Sequence, residues 1–431
     1  MLSKEYAPSR MVMLACLLPI AAVAIGIRLL GVNIPYVDQF RFVGLLARQQ
    51  AGVLTVFDLF AQNNENRPFF PRLIWLGLAG LSHYDIRLEL WANLIVAVAT
   101  FAFFALHATR TWRQLGISVP SMLLPLISFL VFNLNQWESW LQGFQMVMFL
   151  GSACVVVGYF VLSLKPTWGS FALAAIAGIV GSFSTPNDLL YWPIGLIVVV
   201  VTVPANLRVV KAVLWTVCGG ACVFLYLAGW QATTEFGPGA IGAETLGQAY
   251  WVTNFLGAPL MTLPDLAFPF GVLSIALCVI IVVHLTGTRN WKPLVPYLAI
   301  AAFVVASGVL ICMGRFRLGT IQAVAPRYLT ISVWYWASLL TLMPLIPIRR
   351  VPQRVIYSLI AVCLLWLTIW GASCAEAFHL RMLPAYETAV AGGYMSDHLL
   401  SGVARPGTYD EARSALKYLA DNGLSAYAET R

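Results

Sequence analysis

The sequence predicts an all-α polytopic membrane protein of about eleven spans, within a range of roughly ten to thirteen, and three observations carry that expectation. Of 431 residues, 60% are hydrophobic and 10% charged, with a mean hydropathy of +0.80. A water-soluble globule does not hide that much apolar surface. Runs of about 17–25 apolar residues, long enough to cross hydrocarbon as helices, recur along the chain, whereas the alternating segments of about ten residues that build an outer-membrane barrel do not.

The spans are expected near 11–30, 86–106, 118–133, 144–164, 168–185, 188–204, 212–230, 265–287, 294–313, 329–347 and 355–373. The stretch 68–81 is apolar but short and carries Arg72, and it reads as an interfacial or re-entrant helix beginning after Pro68. Residues 1–373 then form one integral domain with a first outward loop at 31–85, and 374–431 form an outward tail.

Orientation follows from the basic caps. With eleven spans, Lys4, Arg10, Arg110, Arg113, Lys165, Arg208, Lys211, Arg289, Lys292, Arg349, Arg350 and Arg354 share one face, which the positive-inside rule makes cytoplasmic. The amino terminus is then inside and the carboxyl terminus outside. After Glu5, every acidic residue falls outside or at the outer rim. Ala22-Val23-Ala24 resembles a signal-peptidase site, but apolar sequence continues to Leu30, and the segment reads as an uncleaved anchor. The eight cysteines show neither a disulfide framework nor a zinc pattern. The net charge of +8 suits basic caps against anionic lipid, and the chain carries no nucleic-acid-binding motif.

The first outward loop, with PYVDQFRF and NNENRPFFPR, is the richest segment. From Asp38 to Gln50, Phe40, Val43, Leu46 and Ala47 fall near one helical face, as in a helix lying in the headgroup layer. Asp38 would stand at its start, either as a simple cap or as a functional carboxylate. Thr55-Val56-Phe57-Asp58 has a capping pattern, with Asp58 structural. Glu65, Arg67 and Arg72 lie further along the same loop. In the tail, Thr408-Tyr409-Asp410-Glu411 matches a capping box, Ala412, Ala415, Leu416 and Leu419 take helical spacing, and Asn422-Gly423 is a stop. That helix reads first as a packing cap over the outer mouth and second as a substrate contact.

Other outward loops add Gln136-Trp137-Glu138, Trp140 and Gln142 between spans three and four, and Asp188 between spans five and six. Trp137 and Trp140 suit an interfacial belt. A carboxylate such as Glu138, flanked by apolar spans, is paired or functional. Arg315, Arg317 and the Arg327-Tyr328 pair depart from the positive-inside bias. Their guanidinium forks match phosphate oxygens, and salt bridges to Asp38, Glu65, Glu138 or Asp188 are the competing use.

In Asp38 of the first outward loop, the N-x-E-x-R-P-x-F-P-R run ending at Arg72, the Gln136-Trp137-Glu138 loop and the Arg327-Tyr328 pair, the chain resembles the GT-C superfamily of bacterial membrane glycosyltransferases that use polyprenyl-phosphate sugars. The resemblance covers the layout of almost the whole chain through short motifs. It implies a multi-pass protein of the bacterial inner membrane with a periplasmic site and periplasmic tail. It also implies inverting transfer of a sugar from a polyprenyl-phosphate donor to a glycan, lipid or protein acceptor such as a pilin. Asp38 matches the acidic residue set beside the acceptor, with Glu65 and Glu138 as further catalytic acids. Arg327, Arg315, Arg67 and Arg72 would meet the donor phosphate, and Gln39, Gln142, Trp137, Asp188 and Tyr328 would line the substrate. Many members carry two adjacent acids; here Gln39 follows Asp38, so Glu65, Glu138 or Asp188 would supply a second, and dependence on a divalent metal stays open.

Two rival functions fit less well. A polymerase or ligase acting on lipid-diphosphate glycans calls for a large later loop with Arg and His, and the 231–264 connection contains neither. A transporter calls for charged or broken helices near the midplane, whereas the polar groups here crowd one rim.

Overall fold

Ser9 opens the first helix, its hydroxyl accepting from the Val12 N–H at 3.3 Å. The computed structural model describes residues 9–164, 167–231, 245–286, 291–346, 350–393 and 395–430. Lys4, Glu5, Lys165, Arg289 and Arg349 lie outside the described residues, as does 232–244 of the 231–264 connection.

The helices run in order α1 (Arg10–Leu30), α2 (Gln39–Gln50), α3 (Val56–Phe60), α4 (Phe69–Ser82), α5 (Ile86–Gln114), α6 (Leu123–Val131), α7 (Trp137–Trp140), α8 (Met146–Leu164) and α9 (Trp168–Ser182). They continue as α10 (Tyr191–Thr202), α11 (Ala205–Leu227), α12 (Thr245–Gly257), α13 (Pro264–Thr286), α14 (Val295–Arg315), α15 (Pro326–Leu342), α16 (Arg350–Val390), α17 (Asp397–Leu400) and α18 (Tyr409–Asn422). Among the described residues there is no strand, only an isolated bridge between Asn63 and Asn66.

Among the described residues eight helices, α1, α5, α8, α11, α13, α14, α15 and α16, are long and apolar enough to cross a membrane, and the chain is a multi-pass membrane protein. All eleven expected spans contain helix, but α9 and α10 are shorter apolar helices. The 118–133 span reduces to α6, which has nine residues. At about 1.5 Å per residue that is under half of a hydrocarbon core about 30 Å thick. The 231–264 connection, read as a loop, contains α12. Its Gln248, Thr253 and Asn254 break the apolar run, while Trp251, Phe255 and Leu256 bury a face against the bundle.

Local signals set the smaller elements. Thr55 and Asp58 form a capping box at α3. In α18, Ala412, Ala415, Leu416 and Leu419 are all buried, and Gly423 ends the helix in the left-handed conformation at φ 61°. The expected box at its start is not formed. Thr408 donates instead to the Arg405 carbonyl at 2.9 Å, and Glu411 faces Arg41 at 3.7 Å.

The apolar interior divides into two main clusters. One fills the helix bundle. The other joins the first loop to the tail, combining Ile34, Phe40, Val43, Leu46 and Trp75 with Phe378, Met382, Leu400, Val403, Leu416 and Leu419. The apolar stripe of α2 therefore packs on protein. No break falls at residue 373, because α16 runs through it into the tail.

Polar links fasten the same union. Ser425 Oγ donates to the Asn33 carbonyl at 3.0 Å, Asn33 Nδ2 to Glu429 at 3.1 Å, and Ser425 N–H to the His83 carbonyl at 2.9 Å. At the opposite end of the bundle, Trp112 Nε1 donates to the Thr341 carbonyl at 2.9 Å, Tyr297 to Thr111 at 3.1 Å, and Lys211 Nζ to the Thr167 carbonyl at 2.9 Å. That end is where α5 brings Arg110 and Arg113.

Candidate functional site

Four connections converge at the end of the bundle that carries the tail, and between them lies a cavity of about 710 Å³. The first loop contributes Tyr36, Asp38 and Glu65; the α7 region contributes Glu138 and Gln142; the α14–α15 connection contributes Arg315, Gln322, Arg327 and Tyr328; and the tail contributes Arg381 and Arg405.

Asp38 sits at the N-cap position of α2, yet its side chain makes no cap bond. It accepts instead from Asn64 Nδ2 at 3.2 Å and lies 3.9 Å from the Arg405 guanidinium. The backbone beside it is unusual. Val37 has φ 47°, a region that β-branched residues avoid, and its N–H donates to the Val403 carbonyl of the tail at 2.8 Å. Beneath it, Gln39 accepts from the Tyr36 N–H at 3.2 Å and donates to the buried Glu89 carboxylate at 2.8 Å. Loop, tail and α5 thus together fix where Asp38 stands.

The other acids are ion-paired. Arg315 meets Glu65 at 3.1 Å. Arg327 meets Glu138 at 3.0 Å, donates to Gln322 at 2.6 Å and lies over the Tyr328 ring. The salt-bridge use of these arginines is therefore real, and it coexists with exposure to the cavity. Of the five guanidinium N–H groups of Arg327, the bonds to Glu138 and Gln322 use only part of the fork.

An apolar groove of about 470 Å³ adjoins the polar cavity. Leu189, Leu190, Val223, Leu227, Leu310 and Ile311 supply its greasy wall, and Glu65, Asn66, Met148, Arg315 and Tyr328 line both spaces. A molecule with a hydrocarbon chain, an anionic junction and a polar head would find those chemistries in that order.

Asp38, Glu65, Glu138, Arg315, Arg327, Gln142 and Tyr328 thus meet at one cavity; Gln39, Arg67, Arg72, Trp137 and Asp188 do not line it. Gln39 is committed to Glu89 and the Tyr36 backbone. Arg67 donates to the carbonyls of Phe60 at 3.0 Å and Ala228 at 2.7 Å. Arg72 donates to those of Asp58, Leu59 and Ala61. Both guanidiniums satisfy loop backbone, and Arg67 also fastens the loop to the end of α11 through Ala228, the physical reason they are not turned to the cavity. Trp137 packs on Phe378 with ring centroids 5.2 Å apart. Trp140 is 2% exposed and donates to the Asn133 carbonyl at 3.0 Å, a core residue and not a belt residue. Asp188 is buried behind Gly151, its Oδ2 without a partner among the described residues.

Sequence reasoning missed Glu89, Arg381 and Arg405. Glu89 sits in the first turn of a span, where it passes for a helix-end charge. The two tail arginines stand among ordinary charged residues, and only folding of the tail over the loop brings them in. Three carboxylates line the cavity, but among the described residues no three His, Cys, Asp or Glu side chains converge as metal ligands do. Comparison of the chain with family models, with curated proteins and with solved structures gives no match.

Proposed function

We propose that the chain is a GT-C-type glycosyltransferase that moves a sugar from a polyprenyl-phosphate donor to an acceptor hydroxyl. One observation carries the reading: the polar cavity holding Asp38 opens along shared residues, Arg315 among them, into an apolar groove. In this scheme the polyprenyl chain lies in the groove, its phosphate meets Arg315 and Arg327, and the sugar projects toward Asp38. The acceptor hydroxyl attacks the anomeric carbon, a new C–O bond forms as the sugar–phosphate C–O bond breaks, and configuration inverts. Asp38 takes the hydroxyl proton. The electron pair leaves with the lipid phosphate, where the arginines stabilise the growing charge. Glu65 and Glu138 hold those arginines in place, and no covalent intermediate is needed.

Membrane placement follows from charge. Arg110, Arg113, Arg208, Lys211 and Lys292 cap the end away from the cavity, and by the positive-inside rule this supports the reading of a cavity on the outer face, periplasmic in a bacterial inner membrane. The acceptor is a glycan, a lipid or a secreted protein. The test incubates purified full-length protein with a panel of polyprenyl-phosphate sugars, with and without chelator, and follows release of free polyprenyl phosphate. Release that depends on Asp38 supports the reading; no release from any donor in the presence of mixed glycan, lipid and peptide acceptors overturns it.

A further inference from the structure

The cavity has more cations than the donor scheme uses. Among the described residues, Arg315, Arg327, Arg381 and Arg405 line it against Asp38, Glu65 and Glu138, an excess of one positive charge. The excess is not evenly spread. Arg315 lines the apolar groove and Arg327 precedes Tyr328, which lines it too; each arginine is ion-paired to a carboxylate. Arg381 and Arg405 stand on the tail side, away from that groove, and both are solvent-exposed.

Each tail arginine is held as a binding group would be. Arg381 forms no ion pair among the described residues. It donates to the Tyr36 hydroxyl, and its guanidinium lies 5.5 Å from the centroids of both Tyr36 and Phe378. Aromatic faces orient a guanidinium without spending its charge on an anion. Arg405 is 64% exposed at its side chain and lies 3.9 Å from Asp38, beyond hydrogen-bond reach. The turn Pro406-Gly407, with Gly407 at φ 88°, ends the segment that presents it.

We infer that Arg381 and Arg405 form a second anion subsite, which takes a phosphate or carboxylate group carried by the acceptor. The inference rests on the glycosyltransferase reading for the word acceptor alone; the anion chemistry stands on the cavity. Asp38 lines the same cavity and stands 3.9 Å from Arg405, so an acceptor anchored by its acidic group at the tail would bring a neighbouring hydroxyl toward the carboxylate. A neutral acceptor would leave Arg381 with no ion-pair partner among the described residues, and Arg405 with Asp38 alone.

The test uses full-length protein in phosphatidylcholine nanodiscs and measures binding of inorganic phosphate, and separately of glucuronate, by calorimetry at low ionic strength. Arg381→Ala/Arg405→Ala is expected to weaken binding of whichever anion the wild type takes by about tenfold, as loss of charge-assisted bonds does. Arg405→Ala alone removes an exposed side chain with no packing role and is expected to weaken it about threefold. Wild-type binding of phosphate but not glucuronate identifies a phosphorylated acceptor, and the reverse a uronate-bearing one. Absence of binding for both, or affinities of the variants within twofold of wild type, overturns the subsite. Binding is read without donor lipid or turnover, so a chain that binds anions through these residues yet never releases polyprenyl phosphate keeps the subsite and loses the proposed activity.

Discussion

Arg72→Ala separates a structural role from a phosphate-binding one. Arg72 is 7% exposed, and its Nη1 donates to the carbonyls of Leu59 at 2.8 Å, Asp58 at 3.3 Å and Ala61. These carbonyls belong to the end of α3 and its C-cap, ahead of the stretch that leads to Glu65. A hydrogen bond to a charged group contributes about 1.5–3 kcal/mol. One nitrogen serving several carbonyls is worth less than their sum, and removing a buried cation relieves part of its desolvation. The net loss is then about 2–4 kcal/mol, the range of a buried polar network broken on one side. Arg72→Lys, with a single ammonium in place of the fork, restores part of it. The assay is thermal unfolding followed by tryptophan fluorescence, with limited proteolysis of residues 51–67. Expected are a lowered midpoint and faster cleavage in that segment. An unchanged midpoint and cleavage pattern, combined with selectively weakened binding of polyprenyl phosphate, would refute the argument and return Arg72 to the donor site.

Asp38→Asn is expected to lower transfer by about 10²–10⁴-fold with donor binding retained, since only the proton acceptor is lost; full turnover in that variant excludes Asp38 as the base. Arg327→Ala should raise the donor's apparent KM about tenfold, and Arg327→Lys, which keeps a cation for Glu138, should recover part of it; an unaltered donor dependence in both refutes phosphate capture. Gly271→Ala should destabilise the α12–α13 hairpin, because a Cβ there would stand 1.9 Å from the Thr253 backbone oxygen, an overpacking cost of about 1–3 kcal/mol or more; a wild-type melting midpoint would show that the helices part freely. Asp58 is held below the ordinary carboxylate range first by the Thr55 backbone N–H, then by the Thr55 hydroxyl, with Arg48 contributing. Its stabilisation of the loop is therefore complete above the ordinary carboxylate value of about 3.9 and is lost as pH falls through the depressed folded value. Protease protection of residues 51–57 should fall in acid in the wild type and not change over that window in Asp58→Asn.

The long spans were legible because an apolar run of that length has few other uses, and the α18 stripe because helical spacing with a glycine stop is a local signal. The short helices were not. Pro120 precedes α6 and the chain leaves helix at Phe132, which gives nine helical residues inside a run whose hydropathy suggests a full crossing. Polar residues in α12 disguise a helix whose Trp251 is fully buried. For the site, Asp38, Glu65, Glu138, Arg315 and Arg327 could be gathered from their loops by charge type and membrane side alone. Arg67 and Arg72 could not be sorted from them, since an arginine bonded to backbone and one facing a ligand look alike in one dimension. Arg381 and Arg405 depend on contacts between segments more than three hundred residues apart, such as His379 with the Leu30 carbonyl, and no local pattern encodes those.

The clasp between Asn33 and Ser425 has a bearing on biogenesis. Val403, whose carbonyl seats Val37, is translated far later than the first loop, as is Ser425 that clasps Asn33. A nascent chain, however many helices it has already inserted, thus holds Val37 without its tail partner until Val403 has been made. Closing so large a loop is slow relative to local helix formation. Deleting residues 422–431, Ser425 and Glu429 among them, should therefore open the first loop to protease while leaving the transmembrane architecture standing.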